Sequence, residues 1–122
     1  MPAKKGEKTN PEVAMLTSEL KRCSRETGSR IWRDISERLS RPKRSWAQVN
    51  VGEIDAYVKD GDKVAIPGRL LGSGSISKKI VVASVSCTRG ARQKVEKVGG
   101  KVVDLLELAS LYPSGSDVRI MK

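Results

Sequence analysis

The apolar spacing of this chain switches period at Asp60-Gly61-Asp62, and that switch restricts the fold more than any other feature. Helices bury every third or fourth residue and strands every second, so a segment written in one period does not settle as the other. Before the turn, Asn10 and Pro11 form a helix start, with Asn suited to cap exposed amides and Pro suited to the first helical position. Val13, Leu16, Leu20 and Cys23 then recur on one helix face, which ends at Gly28. A second, short helix is predicted from Arg30 to about Leu39, with Ile31, Trp32, Ile35 and Leu39 inward and Pro42 as its stop. A third, from near Asn50 to Val58, has Val51, Ile54, Tyr57 and Val58 as its apolar residues.

Beyond the turn, Lys63 to Ile66 and Ile80 to Ser86 are rich in β-branched residues and predict strands. Thr88 is placed to cap a helix through Val98, which Gly99 and Gly100 end before a short strand from Lys101 to Val103. Leu105 to Leu111 adds another helical stretch, Pro113 to Ser116 a turn, and Val118 to Met121 a closing strand. The alternation predicts an α/β fold, a small and partly parallel sheet covered by helices. At 122 residues the chain has room for one domain. The expected layout is a flexible basic tail over 1–9 and a single domain over 10–122, mainly helical through 60 and α/β from 61 onward.

Charge narrows the function. The 24 Lys and Arg against 14 Asp and Glu leave +10, more than solubility requires, so a polyanionic partner is expected. No run of about 18 apolar residues is present, so no membrane partner is expected, and the charged start MPAKKGEKTN has no apolar stretch behind it and is not a signal peptide. A cytoplasmic protein follows. The absence of His removes the usual general base and the commonest metal ligand. Cys23 and Cys87 show neither zinc spacing nor a disulfide framework and read as reduced thiols.

The excess charge is concentrated in two places. From Arg69 to Lys101 eight basic residues, Arg69, Lys78, Lys79, Arg89, Arg92, Lys94, Lys97 and Lys101, face one acid, Glu96. Arg38, Arg41, Lys43 and Arg44 form a second cluster with no acid among its seven positions, and Pro42 is expected to hold Arg41, Lys43 and Arg44 on an extended loop able to follow a phosphate backbone. Aromatic residues are few: Trp32 and Tyr57 occupy apolar helical positions and read as core, while Trp46, beside the basic loop, reads equally as core or as a stacking ring. Without stacking platforms the expected partner is folded RNA or a duplex, gripped by shape and phosphate. PGRLLGSGS, residues 67–75, matches neither G-x-G-x-x-G nor G-x-x-x-x-G-K-[ST] and lies between two predicted strands, so it reads as a Gly-rich turn pressed against RNA or a neighbouring loop. Asp60 and Asp62 flank a turn glycine, and Asp34 and Glu37 share a solvated helix face, so neither pair is catalytic.

RPKRSWAQVNVGEIDAYVKDGDKVAIPGRLLGSG, residues 41–74, resembles the signature of the archaeal and eukaryotic large-subunit ribosomal protein eighteen-e family. IVVASVSCTRGARQKVEKVGG, residues 80–100, is similar to the following segment, shared more loosely with the bacterial ribosomal protein fifteen group, and PSGSDVRIMK also matches. The resemblance covers nearly everything from Asn10 onward, and the chain's brevity looks like the archaeal form. It implies an irregular β-β-α layered α/β domain preceded by helices, whose role is to bind and stabilise large-subunit ribosomal RNA beside neighbouring ribosomal proteins. It brings no cofactor, metal, small-molecule substrate, catalytic residue or homo-oligomer. Onto the matching positions it carries RNA contact at Arg41, Lys43, Arg44, Asn50, Arg69, Gly72 and Gly74. Charge clustering adds Lys78, Lys79, Arg89 and Arg92. A basic chromatin or duplex-DNA protein is the alternative that composition leaves open.

Overall fold

The helical half forms where its spacing predicts. In a computed structural model, which describes residues 11–115 and 118–121, α1 spans Pro11–Thr27 and α2 spans Arg30–Leu39. The basic tail, the Asn10 cap and Ser116 of the expected turn lie outside the described residues. α1 and α2 pack against each other as a hairpin. Ser36, buried on α2, donates its hydroxyl to the Thr17 carbonyl at 3.1 Å. Trp32 is fully buried, and its indole N–H donates to the Pro113 carbonyl at 2.9 Å, which satisfies the ring's polar end and ties the hairpin to the far end of the chain.

After α2 the backbone departs from the extended loop expected of Arg41-Pro42-Lys43-Arg44. Lys43–Ser45 is a single 3₁₀ turn, in which Ser45 N donates to Pro42 O at 2.8 Å and Trp46 N to Lys43 O at 3.1 Å. Proline cannot continue a helix, yet its fixed φ and missing donor suit it to opening a new turn.

The α/β half contains β1 (Ala47–Asn50), α3 (Val51–Asp55), β2 (Lys63–Ala65), β3 (Gly68–Leu71), β4 (Val81–Ser84), β5 (Ser86–Cys87), α4 (Arg89–Lys97), β6 (Lys101–Asp104), α5 (Leu105–Leu111) and β7 (Val118–Ile120). Two parallel sheets result, a three-stranded one in the order β1-β3-β5 and a four-stranded one in the order β6-β4-β2-β7. β1 and β3 are absent from the sequence reading. AQVN and GRLL are short and of mixed character, and each becomes a strand by pairing with the other, from Ala47↔Gly68 to Asn50↔Leu71. The predicted strand over Ile80 to Ser86 divides into β4 and β5, one in each sheet.

The two sheets are continuous through the chain. Ala65 pairs with Ala83 and Arg69 with Ser86, so three residues, 66–68, stand opposite two, 84–85. This bulge is bonded across, with Ile66 N to Ala83 O at 2.8 Å and Val85 N to Gly68 O at 2.9 Å. It bends the paired strands from one sheet into the other. At the bend β1 lies against Gly68 so closely that a Cβ there would stand 2.0 Å from the Ala47 carbonyl oxygen.

Alternation along the strands then separates two cores. Val64 and Val82 point to one face of the four-stranded sheet, where they meet Val49, Ile54 and Leu70 and, from α4, Ala91 and Val95. Ala65 and Ala83 point to the other, under Leu20, Trp32, Ile35 and Leu39 of the hairpin and Leu105 and Leu108 of α5. Both faces are covered, as parallel sheets require. α4 and the α1–α2 hairpin therefore lie on opposite sides of one sheet. Cys23 packs against the second core and Cys87 against the first, both as free thiols.

α3 is shorter than predicted. Tyr57 N donates to Ile54 O at 2.9 Å, a tightening that ends the helix, and Tyr57 rotates outward to 67% exposure instead of joining the core. Trp46 resolves the other way. It is 9% exposed, joins the second core, and donates its indole N–H to the Arg41 carbonyl at 3.2 Å.

Candidate nucleic-acid interface

The expected contact residues fall into two groups, those with free charge and those that hold the framework. Arg41, Lys43 and Arg44 are exposed on the 3₁₀ turn that leads into the amino end of β1. Lys43 stacks its ammonium over the Trp46 ring at 5.9 Å, which fixes the turn against a buried anchor. Along β1, β3 and β5 the inward residues are core, so the alternate positions face outward as a row: Gln48, Arg69 and Ser86, register partners and all exposed. Arg89 opens α4 just past β5, beyond the Thr88 cap, whose hydroxyl accepts from Ala91 N at 3.3 Å. Among the described residues Arg41, Lys43, Arg44, Arg69, Lys79 and Arg89 form no ion pair. Arg92 is exposed and shares its charge with Glu96 at 3.5 Å.

Asn50, Gly72, Gly74 and Lys78 behave differently. Asn50 caps α3 in a reciprocal box with Glu53, and its Oδ1 accepts from Ser73 N at 3.0 Å. Gly74 (φ +85°) meets Gly52 backbone to backbone, where an added Cβ would come 2.8 Å from the Gly52 Cα, and Gly52 N donates to Ser73 O at 3.1 Å. The glycine-rich loop is thus pressed against a neighbouring turn, and the Ser73 amide faces inward. Asp55 anchors the loop's far end: its Oδ1 accepts from the Ser77 amide at 2.9 Å and the Ser77 hydroxyl at 3.1 Å, and Lys78 Nζ donates to its carbonyl at 2.6 Å. The Ser77 amide, working against desolvation and aided by the Ser77 hydroxyl and the Lys78 ammonium, holds the Asp55 carboxyl below its ordinary pKa. Burial, reinforced by Glu26, pushes the Cys23 thiol up, away from the reactive thiolate.

Lys94 has a role that charge counting does not reveal. Its ammonium donates to both the Gly72 carbonyl at 2.6 Å and the Gly74 carbonyl at 2.5 Å, clasping the loop to α4. Gln48 and Ser86, flanking Arg69, were equally missed, because their outward position exists only once β1 pairs with β3. Replacing Lys94 with Met should weaken RNA binding through loop disorder while leaving the salt slope of binding unchanged, since an ammonium committed to two carbonyls neutralises no phosphate. A titration at several salt concentrations reads this directly; a slope reduced by about one would make Lys94 a phosphate contact instead.

The surface as a whole is cationic, aromatic-poor and supported by rigid elements. Among the described residues no His, Cys, Asp and Glu side chains gather in groups of three or more able to hold a metal, and no helix is long and apolar enough to cross a membrane.

Comparison with known proteins accords with this geometry. Residues 48–103 match a family model that groups the 50S ribosomal proteins L15 and L18e with their 60S counterpart. The chain is similar to the large ribosomal subunit protein eL18 of Thermoplasma acidophilum, 42% identical over 93% of this chain and 98% of that protein. It is also similar to the eL18 proteins of Pyrobaculum aerophilum (41% identical, covering 93% of each chain) and Halobacterium salinarum (36%, covering 94% of this chain and 98% of the other). With identity at this level running almost from end to end, the chain belongs to the eL18 family of large-subunit ribosomal proteins.

Proposed function

We propose that this protein is a structural constituent of the large ribosomal subunit, which binds folded large-subunit ribosomal RNA and supports translation in the cytoplasmic ribosome. The observation that carries the reading is the set of exposed cations without acidic partners, Arg41, Lys43, Arg44, Arg69, Lys79 and Arg89, arrayed around one three-stranded sheet. Arg92 adds to them. Asn50, Gly72, Gly74 and Lys78 act by holding the loop that shapes this surface. Residues 10–122 work as one unit, since both cores share the four-stranded sheet. The role is structural rather than catalytic, without cofactor, small-molecule substrate or self-association, beside neighbouring ribosomal proteins.

Buried Trp32 and Trp46 leave little for single strands to stack on, which favours folded RNA. Duplex DNA, the alternative on composition, draws no support from the ribosomal relatives. Competition separates the two: folded large-subunit RNA should displace the protein from duplex DNA at physiological ionic strength, and the protein should sediment with the large subunit until salt is raised. Preference for the DNA would overturn the assignment.

A further inference from the structure

We infer that the groove between α1 and α2 takes the phosphate backbone of a second RNA helix, so that the protein bridges two RNA segments from opposite sides of its four-stranded sheet. This rests on the ribosomal reading above. The groove, about 1210 Å³, is lined by Lys21, Arg25, Gly28, Arg30, Arg33 and Ile120 among others. It exceeds the roughly 300–1,000 Å³ of small-molecule pockets and lacks their apolar lining, so an extended polyanion fits it better than a metabolite.

Its charges are uncompensated from within. The two acids of the lining, Asp34 and Glu37, are engaged by Arg38 at 3.1 Å and Arg33 at 3.3 Å. Lys21, Arg25 and Arg30 are exposed and form no ion pair among the described residues. Lys21 and Arg25 stand four apart on one helix face, where like charges repel. Arg30 and Arg33 lie in the first turn of α2, which has no acid and whose Ser29 N-cap makes no side-chain hydrogen bond. Cations at a helix N-terminus oppose its dipole. A phosphate lodged there relieves each of these: it pairs with the three cations and suits the positive end of α2.

The groove is separate from the surface already described on α4. Ala91 and Val95 of α4 pack on the Val64 and Val82 face of the sheet, and Leu20, Trp32 and Ile35 of the hairpin on the Ala65 and Ala83 face. Arg89 and Arg25 thus point away from each other across a sheet, and no single straight duplex reaches both.

The test uses the full chain with two short RNA duplexes, one labelled with a donor dye and one with an acceptor. The parent should bind two duplexes and give energy transfer. Arg25→Gln with Arg30→Gln should bind one, with the second affinity and the transfer falling on the order of tenfold. Arg22→Gln with Lys59→Gln, an equal charge loss elsewhere, should keep both. Lys21→Glu, on the opposite wall, supplies an independent variant and should act in the same direction, with helix content by circular dichroism confirming that each variant is folded. A parent that binds a single duplex overturns the bridge and leaves the ribosomal assignment standing. Groove variants that still bind two duplexes also overturn it, leaving an acidic protein surface as the occupant. Failure of the parent to bind any RNA would remove both readings.

Discussion

Substituting Gly68 with Ala should destabilise the protein by about 3 kcal/mol or more, or prevent cooperative folding altogether. The added Cβ would lie 2.0 Å from the Ala47 carbonyl oxygen, 2.8 Å from its nitrogen and 2.9 Å from its carbonyl carbon. All three are backbone atoms of the paired strand, so no side chain can swing away. Relief requires β1 to move off β3, which breaks the ladder from Ala47↔Gly68 onward and opens the core beneath Val49 and Leu70. Gly90→Ala is the matched control. It lies inside α4, where an added Cβ meets nothing within 4 Å, and should gain about 0.5–1 kcal/mol through helix propensity. Urea unfolding of the two variants should therefore shift the midpoint in opposite directions. A Gly68→Ala midpoint matching the parent would mean that β1 does not pair there.

The second large effect is on binding. Replacing Arg41, Lys43 and Arg44 together with Gln should lower affinity for large-subunit RNA on the order of a hundredfold near 0.1 M salt, and reduce the salt slope by about 2–3, as expected for three lost phosphate contacts. Folding should be nearly untouched. Trp46 is held by its own burial and by the Arg41 carbonyl, neither of which the substitutions remove. Loss of the Lys43–Trp46 contact at 5.9 Å costs about 0.5–1 kcal/mol at an exposed site. Affinity and stability thus separate in one variant. A slope equal to that of the parent would place the phosphate contacts elsewhere.

The helices were legible because they are local. The three- and four-residue spacing in α1 and α2, the Thr88 cap of α4 and the apolar run of α5 each depend on neighbours within a turn or two, and each element lies where its spacing predicts. β2, β4, β6 and β7 were legible, within a residue or two at their ends, from β-branched content. β1 and β3 were not, because a four-residue parallel strand has no local signature: its hydrogen-bond partner lies some twenty positions away. That gap explains most of the misplacement in the site. Gly72 and Gly74 resemble a phosphate-facing loop until β1 and α3 bring Gly52 against them, and Asn50 resembles a contact residue until Ser73 occupies it. Tyr57 and Trp46 exchange roles for a similar reason, since one extra or missing helical turn decides which way a ring points.

By itself, then, the sequence determined the class of fold, the helices, the cationic character of the partner-binding surface and, through residues 41–74, the family. Periodicity, charge and motif are properties of composition and order, and they survive without a third dimension. The tertiary structure alone decided which cations are spent inside the molecule and which face outward. Lys94 and Lys78 clasp a loop, while Arg69 stands in an exposed row between Gln48 and Ser86. The physical reason is that a charge is neutralised by what lies within a few ångströms of it, and parallel pairing sets those neighbours from distant parts of the chain.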